Sequence, residues 1–253
     1  MPKVFILLFL LSSLGFAQTG RNKDSLLRAL TVAKEDTNRV NLLYAISEVY
    51  KTNDPVKAKR FVRMAGELSE SLGFKRGRAK FFKSMMYIHA HLSENDSAIM
   101  YGNQLYDYAT EIKDSLTMGI ALINLGERYN LSSDYEQGLQ YSLRGLKLLE
   151  GKGYGARIEA VVYGCVQVNY LVLKQYSKSI EYGKKAEQIE RQHPEFDLAT
   201  TQINLGNAYG ELGRFKESED AYLEALTYVQ KNNDKSKEAM IYQGLTDLAQ
   251  KQN

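Results

Sequence analysis

Leu125-Gly126-Glu127-Arg128-Tyr129, followed by Asp134-Tyr135-Glu136-Gln137-Gly138-Leu139-Gln140-Tyr141, decides the fold because it returns eighty residues later. The second copy reads Leu205-Gly206-Asn207-Ala208-Tyr209, then Arg214-Phe215-Lys216-Glu217-Ser218, then Tyr222 and Ala225. Working outward, the small residue of the second half recurs as Ala58, Ala98, Gly138, Ser179 and Ser218, which stand 40, 40, 41 and 39 positions apart. Seven positions on, Ala65, Leu105, Gly145, Ala186 and Ala225 share a face two turns away, so the pattern is helical. A period of this size marks a solenoid whose units bury their apolar faces only by stacking on neighbours. Gly126 and Gly206 are expected where the two helices of a pair cross closely, so that missing side chains let the backbones approach. Tyr129, Tyr170 and Tyr209 then fill the wedge one turn later, and the small residue of the second helix faces the first. The expected fold is all-α: a right-handed superhelical solenoid of antiparallel helix pairs, with five repeats. A half-repeat at Lys23–Lys34 covers one edge, and a lone helix from about Glu238 follows the last pair.

Boundaries fit this register. Asp54-Pro55 offers an N-cap followed by proline at the first helical position, and Asn95-Asp96, Asp114-Ser115 and Ser133-Asp134 are similar start signals. Gly73, Gly151, Gly153 and Gly213 lie where helices should stop. With 3 prolines and no Gly/Ser-rich linker, residues 18–251 read as one continuous domain without strands.

These two units resemble the tetratricopeptide repeat, which places Leu-Gly-x-x-Tyr on a first helix and small-x-x-x-aromatic on a second. The unit here is longer than the usual length of about 34 residues. Tryptophan is absent, and Leu122 and Gln202 stand at its position; Gln167 replaces the glycine of the fourth unit. Asp24-Ser25-Leu26-Leu27, Asp36-Thr37-Asn38-Arg39-Val40-Asn41-Leu42-Leu43 and Asn53-Asp54-Pro55 are similar to the N-terminal sensor region of bacterial repeat-containing histidine kinases and helix-turn-helix regulators. That resemblance implies an extracytoplasmic array in front of a membrane span and an output module. Only the signal and the array are read here, so kinase activity is not expected of this stretch.

The N-terminus reads as a secretory signal peptide over residues 1–17. Lys3 precedes the apolar run Val4–Leu11, and Gly15 and Ala17 suit a cleavage site that leaves Gln18 first. An uncleaved anchor is the alternative, but Val4–Ala17 falls short of the roughly 20 apolar residues a spanning helix needs. The mature chain is therefore expected to be periplasmic or secreted. The sole cysteine, Cys165, sits in an apolar stretch and reads as core or groove lining. A formal charge of +3, from 33 basic against 30 acidic residues interspersed along helices, argues against a nucleic-acid partner.

Catalytic and metal motifs are sparse. His89 and His91 are two apart, unlike the i, i+4 spacing of a zinc pair, and His193 precedes a proline. Gly151-Lys152-Gly153-Tyr154-Gly155 lacks the strand and spacing of a phosphate loop and reads as an inter-repeat turn. Glu217, Glu219 and Asp220 read as a solvated outer helix face. No cofactor or metal is expected, and no enzymatic activity. What remains is the concave groove lined by the first helices. Tyr50, Lys83, Tyr87, Asn124, Glu127, Asn130, Asn204 and Asn207 point into it on this register. Amide side chains there can satisfy both the N–H and the C=O of an extended peptide. The family resemblance implies a peptide contact for Asn124 and Asn204, just before Leu-Gly; a cap or bridge between helices is the alternative. The expected function is an exported, non-enzymatic scaffold for a protein or extended peptide. The alternative is the sensory input domain of a signalling system whose output module lies elsewhere.

Overall fold

The computed structural model describes residues 23–252, so the proposed signal segment lies outside the described residues. Among the described residues there are twelve α-helices and no strand. They fall into two compact units, one ending at Ser132 and the other beginning at Ser133.

The first unit holds α1 (Lys23–Val32), α2 (Thr37–Tyr50), α3 (Pro55–Ser71), α4 (Lys75–His91), α5 (Asn95–Glu111) and α6 (Ser115–Leu131). Each helix packs on the next, and the first helices of successive repeats also touch, α2 on α4 and α4 on α6. Its core joins Leu43, Ile46, Met85 and Ile88 to the small residues Ala58 and Ala65, which are fully buried. Each large aliphatic side chain buried here is worth about 1.5–3 kcal/mol. Tyr44 is fully buried as well, and its hydroxyl donates to the Gly77 carbonyl at 2.8 Å, joining α2 to α4.

The second unit holds α7 (Tyr135–Leu149), α8 (Ala156–Val172), α9 (Tyr176–Arg191), α10 (Ala199–Glu211), α11 (Phe215–Lys231) and α12 (Lys235–Gln252). The order of packing is the same, with α8 on α10 and α10 on α12 as the extra first-helix contacts. Ile203, Tyr222, Ala225, Val229 and Ile241 form its main core cluster.

The small-residue register is borne out in detail. Ala58, Ala98, Ser179 and Ser218 are fully buried, Gly138 is buried, and Ser218 Oγ donates to the Gly206 carbonyl at 2.7 Å across the α10–α11 pair. The account of Gly206 needs correction: the atoms nearest the space it leaves belong to a side chain and not to a backbone. The ring of Tyr222 from α11 lies there instead, and a Cβ on Gly206 would stand 2.9 Å from it. A Cβ on Gly244 of α12 would likewise stand 2.5–2.8 Å from the Tyr222 side chain.

The helix starts are mixed. Asp54, Asp114 and Asp134 accept from the backbone N–H three residues on, as N-caps do. Asn95-Asp96 marks a start but not a cap: α5 begins at Asn95, after Glu94, which makes no side-chain cap bond. Asn95 Nδ2 donates instead to the Arg128 carbonyl at 3.0 Å and to Ser132 Oγ at 2.6 Å, tying α5 to the end of α6. The stops follow one device. Gly73 and Gly213 have positive φ, and so do Ser93, Lys113, Ser133, Lys174 and Asn233, which occupy the same place in their turns. In most of these turns the next residue's N–H donates five residues back, as Glu94 does to the His89 carbonyl at 2.9 Å and Arg214 to that of Tyr209 at 2.9 Å.

Candidate functional site

Within the first unit, α2 and α4 build a cationic and aromatic face. The sequence of α4, KRGRAKFFKSMMYIHAH, carries five Lys or Arg and no acid. Lys80 and Lys83 sit one turn apart on it, with Tyr87 a further turn along. Lys80 Nζ lies 4.7 Å from the centroid of the Tyr44 ring, and Lys51 Nζ at the end of α2 lies 5.7 Å from that of Tyr87. Lys51 also pairs with Glu48 at 3.3 Å. Lys83 is half-buried, and loss of water pulls its ammonium below the usual lysine range, opposed by the Glu48 carboxylate and assisted by Lys51. Lys80 is lowered by the same desolvation and by Lys83.

The other expected groove residues of this unit are placed differently. Tyr50 stacks on Phe61 of α3 at 5.7 Å between ring centroids, with Lys23 and Lys57 over its ring, so it belongs to the packing of α1, α2 and α3. Asn124 is 3% exposed, and its Nδ2 donates to the Ile120 carbonyl one turn back at 2.7 Å. Glu127 and Asn130 are nearly as closed. Burial pushes the Glu127 carboxyl up to about 7, against the pull of Arg128, whose Nη2 is 3.0 Å away.

In the second unit, Asn204 is fully buried, whereas Asn207 opens into a cleft. Leu171, Gly210, Ser218, Gly244 and Leu248 form the floor of this cleft, and its rim carries Tyr176, Asn207, Glu211, Asp247 and Lys251. The Tyr222 hydroxyl donates to Asn207 Oδ1 at 2.8 Å, which fixes the amide with its donor free for a ligand carbonyl. Lys251 Nζ pairs with Glu211 at 2.6 Å across the rim, and Gln243 donates to Asp247 at 2.7 Å. Burial, assisted by the two carboxylates Asp247 and Glu211, holds the Tyr222 phenol protonated well above its ordinary range. Free space in the cleft is about 40 Å³, enough for the tip of a side chain and far below the roughly 300–1,000 Å³ of a drug-sized pocket.

Thus Lys83 and Tyr87 come together with two residues absent from the expected set, Lys51 and Lys80. Lys80 was accessible from its spacing of three and seven to Lys83 and Tyr87. The repeat period could also have placed Lys251 beside Glu211, because forty residues separate them and they stand at equivalent ends of α10 and α12. Among the histidines, His89 is buried, stacked on Tyr101 at 5.2 Å and in contact with Glu94, while His193 stacks on Phe196 at 4.8 Å in the loop before α10. Cys165 is buried. No helix among the described residues is long and apolar enough to cross a membrane.

No family model matches the chain. Regulatory protein RapK of Bacillus subtilis (strain 168) is 30% identical over 144 residues, which is 55% of this chain and 38% of that protein. The chain thus spans about two fifths of the length of that relative. Among solved structures, BtubC (BKLC) from P. vanneervenii superposes with a TM-score of 0.72 at 20% identity, over 85% of this chain and 92% of that one. A Rap protein complexed with competence and sporulation factor superposes with a TM-score of 0.65 at 13% identity, over 90% and 70% of the two chains. Kinesin light chain repeats are among the further neighbours. The fold is that of the tetratricopeptide-like helical-repeat proteins, a solenoid of stacked helix pairs.

Proposed function

We propose that this chain is an exported, non-enzymatic repeat protein that holds a protein or an extended peptide against the faces of its first helices. One observation carries the reading: the first helices bring adaptable polar and aromatic groups to an accessible face, Lys83 and Tyr87 in one unit and Asn207 in the other. Such groups suit a backbone ligand, and the Asn207 cleft admits a side-chain tip while being too small for a substrate-sized molecule. The Rap neighbour solved with competence and sporulation factor lends support by analogy of fold. Export rests on the Met1–Ala17 pattern, with release of the chain from Gln18 into the periplasm or medium. A nucleic-acid partner is not part of this reading, because 33 basic residues are nearly balanced by 30 acidic ones over the chain. A second reading, a sensory input module acting on a separate output protein, is favoured by the similarity to a protein named as regulatory.

The test is affinity capture from an envelope extract, followed by measurement of the captured partner against Tyr87→Ala, Asn207→Ala and an outer-face control, Lys216→Ala. The first two should weaken binding without lowering the melting temperature, and the control should not. Equal binding by all three would refute the reading. A captured histidine kinase or response regulator would favour the second one.

A further inference from the structure

We infer that the outer face of α3 is a membrane-docking surface, on which an anionic phospholipid headgroup layer meets a stripe of cationic and apolar side chains. The inference goes beyond the peptide-binding reading, because this face belongs to a second helix and points away from the first helices. Ala58, Val62, Ala65 and Ser69 form the side of α3 that is buried, in a core shared with α2 and α4. Val56, Arg60, Arg63, Met64 and Glu67 are exposed, and at helical spacing they fall about half a turn around from that buried side. Lys57, Lys59, Arg60 and Arg63 bring four cations into one stretch with no acid between Pro55 and Gly66. Among the described residues none of the four forms an ion pair. The nearby carboxylates are engaged elsewhere: Asp54 accepts from the Lys57 backbone N–H at 2.9 Å as the N-cap, and Glu70 pairs with Arg78 of α4. Glu67 closes the stripe at its far end.

Positive charge alone would suit any polyanion. The apolar content of the same stripe favours a bilayer. Val56 is 70% exposed and Met64 43%, and Arg60 and Arg63 stand between them along about 12 Å of helix. Exposed apolar side chains gain nothing beside a phosphodiester strand. At a headgroup layer they enter the acyl boundary, while the longer cationic side chains reach back to the phosphates. Each Lys or Arg held at an anionic surface shifts partition by about fivefold, and apolar burial adds to it. No helix among the described residues is long and apolar enough to cross a membrane, so contact through this face is peripheral.

The test is sedimentation of the whole chain with vesicles of phosphatidylcholine alone, or of phosphatidylcholine and phosphatidylglycerol at about three to one. The mixed vesicles should take up the protein at least about tenfold better than the neutral ones, and less as salt rises. Arg60→Gln combined with Arg63→Gln should lose at least about tenfold of that uptake. Arg60→Lys with Arg63→Lys should keep it, and Lys216→Gln on α11 should not change it. Val56→Ser with Met64→Ser should weaken uptake several-fold at equal charge. These side chains face outward, so the variants should fold normally; melting temperatures check this, and the lysine pair gives an answer independent of it. Attraction of the apolar run Val4–Leu11 for lipid would act on both vesicle types and on every variant alike, so it cancels in these ratios. Equal uptake by the two vesicle types, uptake unchanged by the glutamine pair, or no uptake at all overturns the inference. Uptake that needs the arginines but is unchanged by Val56→Ser with Met64→Ser overturns it in favour of general polyanion attraction. Tyr87→Ala and Asn207→Ala should leave vesicle uptake unchanged, and partner capture with those variants judges the peptide-binding reading separately.

Discussion

At the residue scale, the ring of Tyr222 and the two glycines that receive it carry much of the second unit's packing. A methyl group on Gly206 would press on that ring, so Gly206→Ala should destabilise by about 1–3 kcal/mol, measured by denaturant unfolding. Combined with Tyr222→Leu, the added cost should shrink, because the ring would be gone. The turn positions behave differently. Lys113 and Lys174 hold φ of 58°, where a Cβ costs about 1–2 kcal/mol, so Lys113→Gly and Lys174→Gly should each raise stability by up to about 1 kcal/mol. Gly213→Ala, at φ +73°, should lower it by a similar amount.

Glu190 supplies a pH signature at this scale. It is 5% exposed; burial, reinforced by Asp197 and Glu187, pushes its carboxyl up to about 7, while the Thr201 hydroxyl, donating at 3.1 Å, opposes the shift. Its folded pKa lies above its unfolded one, so the native state holds the proton more tightly and stability falls as pH rises from about 4.5 to about 7. Glu190→Gln should flatten that slope and stabilise the protein at pH 8 by about 1–3 kcal/mol, visible in melts run across the range.

At the scale of elements, the repeat period and its small residues were legible in the amino-acid sequence, because close helix packing leaves only one size of side chain at the crossing. Ala98→Leu should cost about 1–3 kcal/mol by overpacking α5. The stops were only half legible. Gly73 and Gly213 announced them, but serine, lysine and asparagine adopt the same left-handed turn elsewhere, held by hydrogen bonds that span the whole helix end. Asn95 carried a start signal, and α5 does begin there, but its side chain ties α5 to α6 and does not cap, a role set by a residue 33 positions away.

At the scale of the whole molecule, contacts run between successive helices and between first helices of adjacent repeats within each unit. Such an array is stabilised by nearest-neighbour interfaces, so damage should remain local. Hydrogen exchange on Ala98→Leu should rise across α4–α6 and remain near wild type in α10–α12; uniform loss of protection would show tighter cooperativity than this packing implies.

The candidate site divides along the same line. Helical periodicity put Lys83, Tyr87 and Asn207 on the first helices, and each remains accessible there. The same periodicity gave Asn124, Glu127, Asn130 and Asn204 equal claim, yet neighbouring helices close over them. By itself, then, the sequence determined the helices, their pairing and the size of residue at each crossing, because those follow from local spacing and side-chain volume. Tertiary structure alone decided which polar groups on the first helices meet solvent and which are buried, and it alone brought Lys51 to Tyr87. Exposure and charge clustering depend on how one helix leans on another, and that is fixed by packing between residues far apart in the chain.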